Sequence, residues 1–299
     1  MKYVILNDKK ISKIGLGTWG ISGDWGIKYR KKYLLSLFEY AWNRGINYFD
    51  LAPVYGKGFI DRVIADFKYK DKLIISTKIP AIKKPDLTNK KSEISDFYNI
   101  HYIDQSIYSL FKNLKRDHID LLMLHNWHYD WSKKSFPILS HLNKYKKKGQ
   151  IGAIGISIPN YMNRSFHNID GFELIDFFMV PLNLIQQWPI EHIKKVKKKN
   201  KNIKILARSI FKQGLLGKNT KNSKKESFLL KKIEGQKNLN ELLKKSNAFY
   251  DKKNIKGREF SYCIDFCLFN GANILTLGMS TKKQIDSNIN SLSSFSTKK

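Results

Sequence analysis

The sequence predicts an α/β fold, a (β/α)8 TIM barrel with an N-terminal β-hairpin cap and long loops at the C-terminal face. Three observations lead there. Eight short β-branched or aliphatic runs recur along nearly the whole chain. Each is followed by a stretch with helical apolar spacing, the alternation that closes a parallel sheet into a barrel. The three longest connections all follow strands, so on a barrel they emerge at the face where ligands bind.

Taken in order, Tyr3–Leu6 and Lys10–Ser12 flank Asn7-Asp8, a turn pair that suits a tight hairpin at the bottom of the barrel. The strands are Ile14–Gly17, Ile46–Asp50, Leu73–Thr77, Ile119–His125, Ile151–Ser157, Ile175–Val180, Ile203–Ala207 and Ile274–Gly278. The helices fall near Tyr33–Asn43, Gly58–Phe67, Ile103–Leu114, Ile138–Lys147, Tyr161–His167, Ile190–Lys199, Arg258–Phe269 and Lys282–Asn290. The long connections are Ile79–Asn99, Asn126–Pro137 and Phe211–Gly257. No linker or composition shift divides the chain, so residues 1–299 read as one domain.

A chain of 299 residues with 42% hydrophobic and 13% aromatic content can bury a large core. No apolar run is long enough for a membrane span, and the opening apolar stretch is too short for a secretory signal. Cys263 and Cys267 stand one helical turn apart, which suits reduced, buried thiols better than a disulfide. Together these features point to the cytoplasm. The net charge of +30 raises the possibility of a nucleic-acid partner. Lysine supplies most of it, with only 7 arginines, and arginine is the residue that reads bases and grips phosphate bidentately. The lysine runs at Lys144–Lys148 and Lys194–Lys201 fall late in predicted helices, where cations complement the helix dipole and face water. A nucleic-acid role is therefore the minor reading.

The chemically suggestive side chains sit at strand ends. Asp50 ends the second barrel strand and Tyr55 follows it closely; Lys78 and His125 end the third and fourth. A parallel barrel brings all four to one mouth. A tyrosine holds a donatable proton at neutral pH, an ammonium beside it lowers its pKa, a carboxylate fixes the ammonium, and an imidazole polarises a carbonyl oxygen. Taken one by one, Asp50 could be a strand-end carboxylate, Tyr55 a half-buried aromatic, Lys78 a solvated strand end and His125 a structural histidine. The other histidines show no metal-ligand spacing such as H-E-x-x-H, so no metal is expected. A hydrolase reading lacks a G-x-S-x-G elbow. Trp19, Trp25, Trp127 and Trp131 fall in mouth loops, where lining a pocket and packing a loop are equally open.

The segments Gly15-Leu-Gly-Thr-Trp19, Asp50 to Gly56, Ser76-Thr-Lys78, Ile119-Asp-Leu-Leu-Met-Leu-His125, Gly155-Ile-Ser157 and Gly278 to Asn288 occur in the order and spacing of the aldo-keto reductase family. The chain resembles that family from Ser12 to Asn290, its bacterial branch in particular. The resemblance implies reduction of an aldehyde or ketone to an alcohol, with Asp50, Tyr55, Lys78 and His125 as the catalytic tetrad. It also implies NADP(H) extended across the barrel mouth, with NAD(H) an alternative. The cofactor positions carried over are Gly17, Thr18, Trp19, Ser157, Arg208, Ser209, Gly214, Gly278, Ser280, Gln284 and Asn288. Some depart from the family: Ile158 stands in place of Asn, Met179 of Gln, Leu182 of an aromatic, and Gln284 of an Arg that contacts a 2′-phosphate. Lys282 and Lys283, at a helix N-terminus, can compensate for the last of these. A barrel that binds cofactor without turnover is the alternative these departures raise. The Phe211–Gly257 connection, Lys-rich at Lys218–Lys225, is expected to close over bound cofactor.

Overall fold

A computed structural model describes residues 1–83, 93–125, 127–160, 166–216, 241 and 257–294. The chain opens with β1 (Tyr3–Leu6) and β2 (Lys9–Ser12), an antiparallel hairpin in register Leu6↔Lys9. Asn7 and Asp8 both take positive φ, 46° and 66°, as the tight hairpin turn requires. Eight parallel strands then close a barrel: β3 (Ile14–Gly17), β4 (Tyr48–Asp50), β5 (Ile74–Pro80), β6 (Ile119–His125), β7 (Ile151–Ser157), β8 (Phe177–Pro181), β9 (Lys204–Arg208) and β10 (Ile274–Gly278). They pair in chain order, and β10 returns to β3.

The helices between them are α1 (Lys31–Asn43), α2 (Phe59–Ala65), α3 (Ile100–Leu114), α4 (Phe136–Lys147), α5 (Pro189–Lys199), α6 (Glu259–Phe269) and α7 (Lys282–Ser294). In α3 the side chain of Asn99 caps the helix by accepting from the Tyr102 N–H at 2.8 Å, and Ile103, Ile107, Leu110 and Leu114 recur at helical spacing on the buried face. Burying four such aliphatics contributes about 6–12 kcal/mol before chain entropy is charged against it. Helices α4 and α5 place Pro in their first turn, where its missing N–H costs nothing, and end in lysines. No helix among the described residues is long and apolar enough to cross a membrane.

Inside the barrel, large rings alternate with glycines. The Tyr48 ring lies where a side chain on Gly15 would have to sit, its Cδ1 being 1.9 Å from a Cβ built there, and Phe177 crowds Gly155 in the same way at 2.2 Å. Leu6 and Ile11 of the hairpin pack into this interior with Tyr48, Leu121, Met123, Phe177 and Leu206. The hairpin thus plugs the bottom, and polar contacts pin it there. Lys9 reaches the buried Asp120 carboxylate at 2.5 Å, and Asn7 donates to Gly152 O at 3.1 Å.

Several boundaries differ from the sequence reading. Strand β4 begins at Tyr48 rather than Ile46, because the Asn47 side chain is taken up by the hairpin, accepting from Ser12 N–H and donating to Lys10 O. Strand β5 runs on to Pro80, with Pro80 opposite His125, so Lys78 lies within the sheet. Between β7 and β8 a helix over Tyr161–His167 was expected. Residues 161–165 are outside the described set, Phe166 and His167 are not helical, and Phe172–Leu174 form a single 3₁₀ turn against α4. The expected closure of Phe211–Gly257, including Lys218–Lys225, falls almost wholly outside the described residues, as do residues 84–92 of the first long connection.

Candidate active site

The barrel brings Asp50, Lys78, Tyr55 and His125 to its C-terminal mouth. Lys78 is 1% exposed, and its ammonium donates to Asp50 Oδ1 at 2.8 Å and to Leu51 O at 2.6 Å. Asp50 also accepts from Ser76 Oγ at 2.6 Å. Its own backbone carbonyl takes the Thr18 N–H at 3.1 Å and the Thr18 hydroxyl at 2.8 Å, so β3 fixes the end of β4. The Lys78 nitrogen stands 5.0 Å from the centre of the Tyr55 ring.

Tyr55 is aimed by a strained turn. Gly56 follows it at φ +56°, and a Cβ there would lie 2.3 Å from Ser22 O. The Gly56 N–H donates to Asp24 Oδ2 at 3.0 Å, which ties this turn to the β3–α1 loop. From that loop the Trp19 ring stacks beside Tyr55 at 6.5 Å and meets Trp25 edge-on at 4.8 Å. Trp19 is 38% exposed, whereas Trp127 and Trp131 are buried against one another and against neighbouring rings. Of the two roles open to the tryptophans, Trp127 and Trp131 pack the loop and Trp19 faces the mouth.

The electrostatics of the set are unequal. Burial pulls the Lys78 ammonium down, but Asp50 and Tyr55 more than offset this, and its pKa stays above the ordinary lysine value. Burial raises Tyr55, and Lys78 lowers it; Asp50 raises it further and Arg208 lowers it, with the sum above an ordinary phenol. The sequence expectation of a depressed tyrosine pKa is corrected here, because desolvation of the phenolate outweighs the ammonium. His125 is lowered to about 3 by burial, then by Lys78 and Arg208, so its imidazole is neutral and presents a ring N–H.

The cofactor positions carried over spread along one side of the mouth. Gly17 ends β3 with Thr18 just beyond it, and Ser157, 1% exposed, ends β7. Ser209 at φ 58° and Gly214 at φ 87° shape the turn after β9. Gly278 ends β10 with no atom within 4 Å of where its Cβ would be. Ser280 gives both its N–H and its hydroxyl to Gln284 Oε1, at 2.7 and 3.1 Å, and Asn288 is buried one turn further along α7. Ile158, Met179 and Leu182 are all fully buried and apolar. Arg208 bonds one member of this group, Ser209 Oγ at 3.2 Å, and otherwise reaches away from the β9 turn and α7. Its Nη2 donates to Ile158 O at 2.9 Å and its Nη1 to Asn160 Oδ1 at 3.0 Å, both beyond the end of β7. Among the described residues no group of three or more His, Cys, Asp or Glu could hold a metal ion.

Three residues lay outside the sequence reading of the site. Ser76 was part of a motif without a role, and it bonds Asp50. Asp24 holds the Tyr55 turn. Asp61, in the first turn of α2, is fully buried with neither carboxylate oxygen hydrogen-bonded, and burial raises it to about 6 against the pull of Lys78 and Arg62. An acid in a first helical turn reads from sequence as a solvated dipole partner, so only packing reveals it.

The sequence model of the Aldo/keto reductase family matches residues 13–299, and the chain belongs to that family. It is 29% identical over 232 residues to the aldo-keto reductase YhdN of Bacillus subtilis, covering 74% of this chain and 65% of that protein. It is also 29% identical over 162 residues to the NADH-specific methylglyoxal reductase of Escherichia coli, covering 50% of this chain and 48% of that one. The chain thus spans less than two thirds of the length of these curated relatives. The barrel superposes on the glycerol dehydrogenase AKR11B4 of Gluconobacter oxydans with TM-score 0.72 at 19% identity, over 98% of this chain and 94% of that one. It does so on the holo form of AKR11C1 from Bacillus halodurans with TM-score 0.67 at 17% identity, over 98% and 91%.

Proposed function

We propose that this member of the aldo/keto reductase family reduces the carbonyl of an aldehyde or ketone to an alcohol with NADP(H), Tyr55 being the proton donor. The observation that carries the reading is the junction of Asp50, Lys78 and Tyr55, with a neutral His125 at the same mouth. A nicotinamide dinucleotide fits the residues present. The N-terminus of α7 beside Ser280, Lys282 and Lys283 suits a phosphate, and the buried Gln213 Oε1 in the turn after β9 has no partner among the described residues. Gly17, Thr18, Trp19, Ser157, Ser209, Gly214, Gly278, Ser280, Gln284 and Asn288 would hold it. When bound in reduced form it supplies a hydride to the carbonyl carbon.

The chain's own groups do the rest. The neutral His125 donates its ring N–H to the carbonyl oxygen and orients it. Tyr55 passes its phenolic proton to that oxygen as negative charge develops there, and solvent later restores it. Lys78 stabilises the transient phenolate, while Leu51 O and Asp50, itself bonded by Ser76, hold the ammonium in place. Trp19, stacked beside Tyr55, would give the substrate an apolar face. The cations near α7 favour NADPH over NADH, modestly, since Gln284 is neutral and engaged with Ser280.

The test follows absorbance at 340 nm with NADPH or NADH and simple aldehydes and ketones, comparing wild type with Tyr55→Phe. Carbonyl-dependent oxidation that falls about a thousandfold or more in Tyr55→Phe, with cofactor still bound, is the expected result. Cofactor binding with no turnover of any carbonyl would instead favour a binding barrel, which the apolar Ile158, Met179 and Leu182 make the second reading.

A further inference from the structure

Arg208 is the last residue of β9, and its side chain does not follow the chain outward. Its guanidinium crosses the end of β8 to reach Ile158 O and Asn160 Oδ1 beyond β7, with a third bond at 3.2 Å to Ser209 Oγ. All three acceptors are neutral. Among the described residues no carboxylate pairs with it, whereas Arg116 pairs with Asp120 at 3.1 Å and Arg44 with Asp286 at 2.8 Å. Its charge is felt across the mouth by Asp50 at the end of β4, Tyr55 in the turn beyond it and His125 on β6. A half-buried guanidinium with no counter-charge is costly unless a ligand supplies one. The anchor to β7 also decides which ligand group it can meet. The positions assigned to the phosphates run the other way, along the turn after β9 and the start of α7. An anion on Arg208 therefore lies on the β7 side of β9, within electrostatic reach of Tyr55, Asp50 and His125.

We propose that Arg208 recognises a carboxylate on the substrate, so that the enzyme's preferred substrates are oxo acids, aldehydes or ketones that also carry a carboxylate. The proposal rests on the carbonyl-reductase reading above. Three of the five guanidinium N–H groups meet neutral acceptors, and the remaining two are left for an anion. Trp19, stacked beside Tyr55, offers an apolar face to the body of the substrate. Arginine does not titrate in the working range, so the preference persists wherever the substrate is ionised.

Matched pairs that differ only in the charge test this. The probes are 4-carboxybenzaldehyde against its methyl ester, and succinic semialdehyde against its methyl ester, with kcat/KM measured for wild type, Arg208→Met and Arg208→Lys. Wild type is expected to favour the acid over the ester by about 10- to 100-fold, the range of a charge-assisted bond. Arg208→Met should bring that ratio to within about threefold of unity, with Arg208→Lys between. A wild-type ratio near one overturns the proposal and leaves the reductase reading intact. So does an Arg208→Met variant that loses acid and ester in equal proportion while NADPH binds more weakly, which would place Arg208 on the cofactor. If no probe is turned over, the reductase reading fails separately. Calorimetric binding of 4-(hydroxymethyl)benzoate to the NADP+-loaded protein then decides. Binding at least tenfold weaker in Arg208→Met supports the carboxylate site, and binding equal to wild type, or none in wild type, sinks it.

Discussion

Replacing Lys78 by Met removes one buried charge from the candidate site, and the structure sets the size of the effect. The ammonium lies 5.0 Å from the Tyr55 ring centre. At an effective dielectric of about 20, unit charges at about that separation interact by ~3 kcal/mol. Tyr55, already above an ordinary phenol, becomes a weaker proton donor still, and its phenolate loses its stabilising cation. The expected kcat for carbonyl reduction falls by on the order of 10²-fold. In the reverse direction, alcohol oxidation needs the phenolate, so its rate rises with pH through the Tyr55 pKa, and that rise moves to higher pH. Stability also drops, because Asp50 keeps only Ser76 as a side-chain partner in a buried site; losing one member of such a pair costs about 3–5 kcal/mol. Thermal melts and cofactor binding establish that the variant is folded. The double variant Asp50→Asn/Lys78→Met should regain much of the melting temperature and none of the rate. A folded Lys78→Met enzyme within threefold of wild-type turnover, with an unshifted pH profile, would refute the assignment.

Three other outcomes are expected. NADPH should quench tryptophan fluorescence through Trp19, with Trp19→Phe losing most of the signal and NADH binding only modestly more weakly; equal or tighter NADH binding would remove the phosphate preference. Gly56→Ala should lower stability by about 1–3 kcal/mol in a denaturant titration and reduce turnover with it, because a Cβ at φ +56° meets Ser22 O and displaces Tyr55. Asp120→Asn should cost about 3–5 kcal/mol at neutral pH. Burial raises the Asp120 carboxyl, but His118, Arg116, Lys9 and the Ile75 N–H outweigh this and hold it well below the usual range. A depressed folded pKa adds stability that is present above the unfolded value of about 3.9 and lost as pH falls below it, so the variant's melting temperature should depend less on pH below about 4.

The barrel was legible because its strands are short apolar runs at even spacing, and all eight lie within a few residues of where the pattern places them. The hairpin was legible from Asn7-Asp8, a pair that tolerates positive φ. Asp50, Lys78 and His125 stood out because strand ends of a parallel barrel must converge. What the sequence could not show depends on side-chain direction and burial. Arg208 and Ser209 are neighbours in the chain, yet the guanidinium turns back over β8 to the β7 end. Asp61 has the spacing of a solvated helix-start acid and is fully buried. The sign of the Tyr55 shift is a balance of desolvation against charge, and neither can be weighed until distances exist.

The two ends of the barrel treat charge in opposite ways, and the contrast bears on function. At the bottom one buried carboxylate, Asp120, is met by Lys9, Arg116 and His118, and by the backbone N–H of Ile75. The effect is to lock the hairpin plug. At the mouth Asp50 faces two cations, Lys78 and Arg208, and pairs with only the first. The histidine beside them is uncharged. A cation without a carboxylate partner in a partly dry cleft favours whatever brings negative charge to it. Reduction of a carbonyl does so at its oxygen as the reaction proceeds, and a carboxylate on the substrate would do so from the moment of binding. Lys78, coupled to Tyr55, answers the first; Arg208, which meets neither Asp50 nor the Tyr55 turn directly, is left to answer the second.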